Sequence, residues 1–314
     1  MNHTANILKK IGRKVAIITD DPGWHGEQLK SSLNNYGLES SYLSLTNCSL
    51  QIAGENSTIK LPDFDTLPLG VFVRGVPGGT LEQVIFRLNI LHTLNNYGIV
   101  VYNSPKAIER TVDKPYTSIT LAYSGLPTPK TWICESTKQA NQIVEKEWIK
   151  NNKIIQKPLF GSQGIGIHLI DQATGLIYDE KFAGVYYLQE YIERKDDNFK
   201  DIRVLVVDGT AKAAMTRHSN DWITNRARGA SCELLELNEK LSYLSETACK
   251  VLDIDYAGVD LIEDKNGSLH IIEVNSIPAW FGLQKVVNFN VSDCLIKSFI
   301  KKITKNNSLS ACTN

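Results

Sequence analysis

The run Gln156-Lys157-Pro158-Leu159-Phe160-Gly161-Ser162-Gln163-Gly164-Ile165-Gly166 sets three glycines in the order GxxGxG, the first of them four residues after a lysine. Backbone N–H groups of Gly161, Ser162, Gln163, Gly164 and Gly166 can approach phosphate oxygens, because glycine has no Cβ and tolerates unusual φ/ψ, and Lys157 adds a point charge. The pattern is neither the Walker loop nor the dinucleotide GxGxxG, both of which lead directly into a helix. Taken alone it is also the pattern of a tight hairpin.

A second constellation lies about a hundred residues further on, where the strand-like runs YAGVDLIED and SLHIIEVN flank DKNG. Asn-Gly between alternating apolar residues predicts a two-residue turn, with Lys265 opposite Ser268. Counting outward then sets Asp260 opposite Glu273, with Asn275 on the same face; a three- or five-residue loop would break that pairing. Like charges facing each other across a sheet need a compensating cation. Two carboxylates and an amide oxygen suit Mg²⁺, which takes hard ligands and is completed by water and substrate phosphates. The competing reading is a solvated polar face, but a glycine loop and a metal hairpin in one chain point together to a nucleoside triphosphate held between them.

The elements that must position these groups alternate. RKVAIIT is a strand, DDPGWHG a turn, Glu27 to Tyr36 a helix, LGVFVR a strand, VPGG a loop, Thr80 to Tyr97 a helix and Ile99 to Tyr102 a strand. This order predicts a parallel α/β domain. Ser104-Pro105 starts a helix and Gly125 stops one. Strands KTWIC and KIIQKP bracket a helix over Ser136 to Asn151, and the strands on both sides of the glycines make that loop a hairpin lid. Strands DIRVLVVDG and AKAAMTRH, a helix over Asn238 to Leu252 and the Asp260 hairpin follow, then a helix over Val291 to Ile303 and a polar, frayed tail. The expected division is 1–105, 106–190, 191–305 and a tail 306–314.

The 314 residues carry 34 Lys plus Arg against 34 Asp plus Glu, so no global field draws the chain to nucleic acid or an anionic membrane. Six cysteines without ligand spacing predict reduced thiols in a cytoplasm, and no window approaches a membrane span.

Eight motifs in order, VDKPYT, GLPTPKT, IIQKPLFGSQGIGI, LQEYI, DIRVLVVDG, WITNRARGA, AGVDLIE and IIEVN, resemble the ATP-grasp superfamily from about Ser104 to Asn275, in particular its RimK-like α-L-glutamate ligases. The resemblance implies an α/β and α+β architecture: an N-terminal parallel domain and two ATP-grasp subdomains that clamp ATP between antiparallel sheets. It puts Lys114 and Lys157 at the phosphates, residues 161–166 in a mobile lid, and Gln189, Glu190 and Tyr191 at the nucleotide, with an edge strand presenting backbone groups to adenine. Asp201, Thr224 and Asn225 become further nucleotide contacts, and Asp260, Glu273 and Asn275 ligands of two Mg²⁺ ions, for which Mn²⁺ can substitute. Lys157, Arg203 and Arg217 are the expected catalytic cations, the arginines meeting an acyl phosphate and the tetrahedral species formed from it.

The loop WITNRARGA and the opening ITDDPGWHGEQL are similar to the branch that acts on tetrahydromethanopterin. The leading reading is ATP-dependent addition of L-glutamate to a carboxylated small molecule of that type, with His25, Arg74 and Arg228 as substrate contacts and room for a homo-oligomer. A second is a ligase acting on an amino-group carrier protein, a peptide or a ribosomal protein. A third, of another class, is a non-catalytic ATP-binding regulator.

Overall fold

A computed structural model describes residues 12–54, 57–161, 164–178, 182, 184–195, 199–224 and 229–312, with side chains described as far as 308. The chain forms two compact units: Met1–Ile108 with Ile254–Tyr256 and Ser276–Asn314, and Glu109–Asp253 with Ala257–Asn275.

The first unit opens with β1 (Val15–Ile18), α1 (Gly23–Asn35), β2 (Ser40–Leu43), a small antiparallel pair β3 (Ser49–Gln51) and β4 (Thr58–Lys60), β5 (Val71–Val73), α2 (Leu81–Asn96), β6 (Val101–Tyr102) and α3 (Pro105–Val112). Its main sheet is parallel throughout, in the order β2-β1-β5-β6. The uninterrupted apolar runs VAII and VFV are fully buried, as strands covered on both faces must be. α2 starts on a capping box, in which the Gln83 N–H donates to Thr80 Oγ1 and the Thr80 N–H to Gln83 Oε1. Four elements differ from expectation, β3 and β4 being additional to those the sequence predicts. The half-buried SSYL has no apolar run to announce β2, and α1 begins four residues before Glu27 because Pro22, already at helical φ and ψ, accepts the Gly26 N–H at 2.6 Å.

The second unit contains α4 (Lys114–Tyr123), β7 (Thr131–Cys134), α5 (Thr137–Ile149), β8 (Ile154–Lys157), β9 (His168–Ile170) and β10 (Tyr186–Glu190), whose strands form an antiparallel sheet in the order β7-β10-β8-β9. β11 (Phe199–Val207), β12 (Thr210–Ser219), β13 (Ser231–Leu235), α6 (Glu239–Leu252), β14 (Tyr256–Glu263) and β15 (Leu269–Asn275) follow, and their sheet runs β13-β12-β11-β14-β15.

The chain ends with α7 (Phe281–Gln284) and α8 (Val291–Cys312), which return to the first unit instead of closing a C-terminal subdomain. The parallel sheet needs a layer over Phe72, and α8 supplies Phe299 edge-on at 5.6 Å, with Ser292 and Ser32 sharing a hydrogen bond of 2.9 Å. Gly70 permits the approach, since a Cβ there would stand 2.6 Å from Ile303. α8 also continues well past Ile303, where the sequence led us to expect a frayed tail; Asn306 donates to the Gly98 carbonyl at 2.8 Å. No described helix is long and apolar enough to cross a membrane.

Asn103 joins three segments of the first unit. Fully buried, it donates to the Tyr256 and Ser276 carbonyls at 2.8 and 2.5 Å and accepts from the Asp255 and Tyr256 N–H groups at 2.7 and 3.1 Å. Asn103→Ala leaves these backbone groups buried without partners, and we expect a loss of about 2–4 kcal/mol. Urea denaturation of the two proteins measures it, and equal midpoints would contradict it.

Candidate functional site

The Asp260 hairpin pairs as expected, by a different route. The turn holds three residues, with the Asp264 N–H donating to the Ser268 carbonyl at 2.8 Å and Gly267 at φ +83°. Leu261 therefore pairs with Ile271 and Ile262 with His270, one residue away from the two-residue register. A β-bulge between Asp260 and Leu261 restores the count, so that Asp260 faces Glu273 and Gly258 faces Asn275. The extra residue, Ile272, lines the same cleft as Glu273.

Asp260 does not stand open in the structure. Arg203 donates to both of its oxygens at 2.7 Å, and Arg217 reaches Oδ2 at 3.0 Å. Arg217 also makes a bidentate pair with Asp201, both bonds at 2.6 Å, and Asp201 accepts the Thr224 hydroxyl at 2.6 Å. The pleat explains the chain of partners. Asp201 and Arg203 share a face of β11, Asp201 lies opposite Arg217 on β12, and β14 adjoins β11 on its other side. Burial alone would raise the Asp260 carboxyl, but Arg203 and then Arg217 outweigh it and hold it below the usual carboxylate range. For Asp201, burial prevails over Arg217 and raises the carboxyl. The arginines expected to meet an acyl phosphate thus carry carboxylate partners, and Asp201 and Thr224, expected at the nucleotide, are tied into the same network.

Two lysines converge from the other sheet and from α4. Lys157 donates to Gln189 Oε1 at 2.6 Å, while the Gln189 amide nitrogen donates to Thr131 Oγ1 at 3.0 Å, which fixes the amide with its oxygen toward the lysine. Gln189 therefore positions Lys157. Lys114 donates to the carbonyls of Leu159 and Gly161 at 3.0 and 3.1 Å, at the root of the glycine hairpin. Burial lowers both amines; for Lys157 the attraction of Glu273 opposes this and the repulsion of Lys114 adds to it, leaving its pKa at about 8.

Lys114, Lys157, Gln189, Asp201, Arg217, Thr224, Asp260 and Glu273 line one cleft, with Arg203 behind Asp260. Gly161 and Gly164 form part of its wall, and Gly164 and Gly166 sit at φ +73° and +75°, where a side chain would be strained. Glu190 and Tyr191 line it too, but β10 is an interior strand, and their N–H groups are already given to the Lys130 and Lys153 carbonyls at 2.8 and 2.9 Å. The expected edge strand is thus absent at this point. Apolar Ile155, Ile262 and Ile272 are among the wall residues that were not singled out from sequence. The first two were legible by period two from Lys157 and Asp260, whereas Ile272 depends on the bulge. Ser162, Gln163, Asn225 and Arg228 lie outside the described residues.

The remaining donors are all oxygens. The Glu273 carboxylate takes no hydrogen bond or ion pair among the described residues, and Asn275 Nδ2 is buried without a partner, so a half-turn of that amide sets its oxygen in the unpartnered position instead. With Asp260 these residues fit a hard divalent cation, although Asp260 would share it with two guanidinium groups. No group of three His, Cys, Asp or Glu side chains joins them among the described residues.

His25 and Arg74 belong to the first unit and are absent from this cleft. The Trp280 N–H donates to His25 Nε2 at 3.1 Å, and burial, then Arg74, lowers the imidazole pKa to about 4. His25 is consequently neutral at physiological pH.

A family model described as the RimK-like ATP-grasp domain matches residues 111–299. The chain is 34% identical to "Tetrahydromethanopterin:alpha-L-glutamate ligase" of Methanocaldococcus jannaschii, over 92% of this chain and 99% of the relative. It is 31% identical to "Alpha-aminoadipate--LysW ligase LysX" of Saccharolobus solfataricus, over 66% of this chain and 77% of that one. Among solved structures, the ATP-grasp ligase PsnB, complexed with a phosphomimetic variant of minimal precursor, Mg and ADP, superposes with a TM-score of 0.72 at 18% identity, covering 92% of this chain and 98% of the other. That likeness is one of fold.

Two outcomes follow from this geometry. Competitive acetylation across pH should give Lys157 a midpoint near 8, about two units below an ordinary lysine; a midpoint with the surface lysines would refute the assigned environment. Arg217→Met leaves Asp201 and Asp260 buried against one fewer cation and should cost about 3–5 kcal/mol in denaturation.

Proposed function

The chain belongs to the RimK-like ATP-grasp family, and on that premise we propose that it is an ATP-dependent ligase joining the amine of L-glutamate to a carboxylated small molecule. What carries the reading is the convergence of Lys114 and Lys157, beneath a glycine hairpin, on a cleft whose far wall presents Glu273 beside Asp260. The relatives named as tetrahydromethanopterin:glutamate ligases, matched over nearly their whole length, support a coenzyme of that chemical type as acceptor.

The reaction has two balanced steps. A carboxylate oxygen of the acceptor attacks the γ-phosphorus of ATP, a P–O bond forms, the bond to the β-phosphate breaks, and ADP leaves. The glutamate amine then attacks the acyl carbon of the resulting acyl phosphate; the C–N bond forms, phosphate leaves with the C–O bond's electron pair, and the amine loses a proton to phosphate or water.

The chief obstacle is charge, because a carboxylate must approach a polyanion. Lys114 and Lys157 supply fixed positive charge at the lid, and both are relieved of their burial penalty when phosphate oxygens arrive. Arg203 and Arg217, held by bidentate carboxylates, keep their orientation without reorganising as charge develops, which is the electrostatic advantage of a preorganised site. Glu273, Asn275 and Asp260 would hold Mg²⁺, one or two ions, which when bound neutralises phosphate charge and polarises the γ-phosphoryl group. The glycine hairpin would exclude water that otherwise hydrolyses the acyl phosphate.

Incubation with ATP, Mg²⁺, L-glutamate and a tetrahydromethanopterin-containing extract should release phosphate in a glutamate-dependent manner and yield a product heavier by one glutamyl residue, read by mass spectrometry. Glu273→Ala should lose this turnover at least a hundredfold while keeping its fold. Phosphate release that ignores glutamate with every acceptor would sink the proposal and favour a regulator that only binds ATP.

A further inference from the structure

In the first unit the chain passes from β1 outward to β2 and then across to β5 on the opposite side, so the strand order reverses between β1 and β5. In open parallel sheets ligands bind outside the carboxyl ends of the strands at such a reversal. Here the two strand ends are tied together, since the Arg74 and Gly75 N–H groups both donate to the Ile18 carbonyl, at 2.9 and 3.1 Å. The first turn of α1, entered from β1, brings Trp24 and His25, and Arg74 follows β5 directly.

The polar groups gathered at this point are donors in search of an acceptor. Arg74 Nε is buried without a hydrogen-bond partner, and the guanidinium's one described bond is a long one of 3.4 Å to the Ile277 carbonyl. No carboxylate pairs with it among the described residues. Trp280 is 1% exposed, yet its indole Nε1–H also has no partner. His25 spends its Nε2 lone pair on the Trp280 N–H, which puts the imidazole proton on Nδ1 and makes that atom a third donor. Burial, opposed only by Tyr256, lowers the Arg74 guanidinium. A half-buried cation without a carboxylate partner, beside orphaned buried N–H groups, costs stability that a bound anion would return.

The surroundings are aromatic. Arg74 lies over the Trp280 ring at 5.4 Å, His25 meets that ring edge-on at 4.6 Å, and Trp24 packs at 5.0 Å on Phe281, which is 37% exposed. At the residue after Arg74 there is room: a Cβ on Gly75 would touch nothing within 4 Å.

We propose that Arg74, Trp280 and His25 form a binding site at the switch point of the parallel sheet for an anion, carboxylate or phosphate, carried on a planar aromatic body. This deepens the proposed function and rests on it only for the ligand's identity, the carboxylated acceptor being the natural candidate; the site itself rests on the orphaned donors.

The test reads the site without turnover. The chain has five tryptophans, so a ¹⁵N-labelled sample gives few indole signals, and Trp280→Phe assigns the one concerned. Benzoate and phenyl phosphate are titrated in parallel, with benzyl alcohol as the uncharged control; affinities for ligands this small are expected at about the millimolar level. One or both anions should move the Trp280 indole proton downfield, and whichever moves it at the lower concentration identifies the carboxylate or the phosphate as preferred. Benzyl alcohol should leave it in place. Arg74→Ala should weaken the response at least tenfold, and Arg74→Lys should restore part of it, with spectral dispersion showing that each variant is folded. An equal response to benzyl alcohol, an undiminished response in a folded Arg74→Ala, or none to either anion would overturn the site. If both Arg74 variants unfold, the unaltered protein's contrast between anions and alcohol decides alone. A positive titration beside an absence of glutamate-dependent phosphate release would leave the site standing and remove the ligase reading; the reverse pair would do the opposite.

Discussion

The buried run Thr224, Asp201, Arg217, Asp260, Arg203 is the interaction on which the second unit's cleft depends. Arg217 is 2% exposed, and its buried charge would be costly without two carboxylates; two guanidiniums offset the burial of Asp260 and keep its carboxyl ionised. Each member is affordable only because its neighbours are charged. The sheet must therefore hold β12, β11 and β14 side by side in one register, and that register is what aims the functional face. A buried ionic network is a poor source of net stability compared with apolar packing, so its presence is better explained by the field it creates than by the fold it supports.

That field is nearly balanced by design of position. Five cations, Lys114, Lys157, Arg194, Arg203 and Arg217, stand with four carboxylates, Glu190, Asp201, Asp260 and Glu273, in or beside one cleft. Arg203 and Arg217 are spoken for and the lysines are not: their partners are neutral oxygens, of Gln189 in one case and of backbone in the other. Lysine suits this role because its charge yields to burial, whereas arginine keeps its proton. A polyanion entering the cleft would meet amines paired only with neutral oxygens, and rigid guanidiniums behind them.

Much of this was written in the sequence at the level of motif and little at the level of partnership. The glycine hairpin between β8 and β9, the parallel first sheet and the facing of Asp260 by Glu273 all follow from periodicity and turn chemistry. The last was reached through a turn one residue too short and a bulge that periodicity does not reveal; the two deviations cancel because each shifts the register by one residue. By contrast, that Arg217 would pair with Asp201 needs the alignment of β11 with β12, and that Arg203 would pair with Asp260 needs β14 beside β11, a neighbour fifty-seven residues away in sequence. Local patterns carry no record of such pairings. The return of α8 to the first unit was hidden for the same reason, since its apolar stripe states that something is covered and not what.

Trp280 shows where reading residue by residue stops short. In sequence it is a tryptophan after a proline and an alanine, with nothing to separate it from packing. In the fold its backbone N–H fixes the tautomer of His25, its ring underlies Arg74 and its own indole N–H is left over. A purely structural role would have been filled as well by phenylalanine, which buries a ring without stranding a donor. The same reasoning applies to Arg74, whose half-buried side chain strands a buried Nε–H where methionine or leucine would not. When two adjacent side chains each carry a polar group that costs the fold and serves no partner within it, the economical explanation is a partner from outside. The chemistry of the leftover groups, donors only and one of them charged, makes that partner an anion.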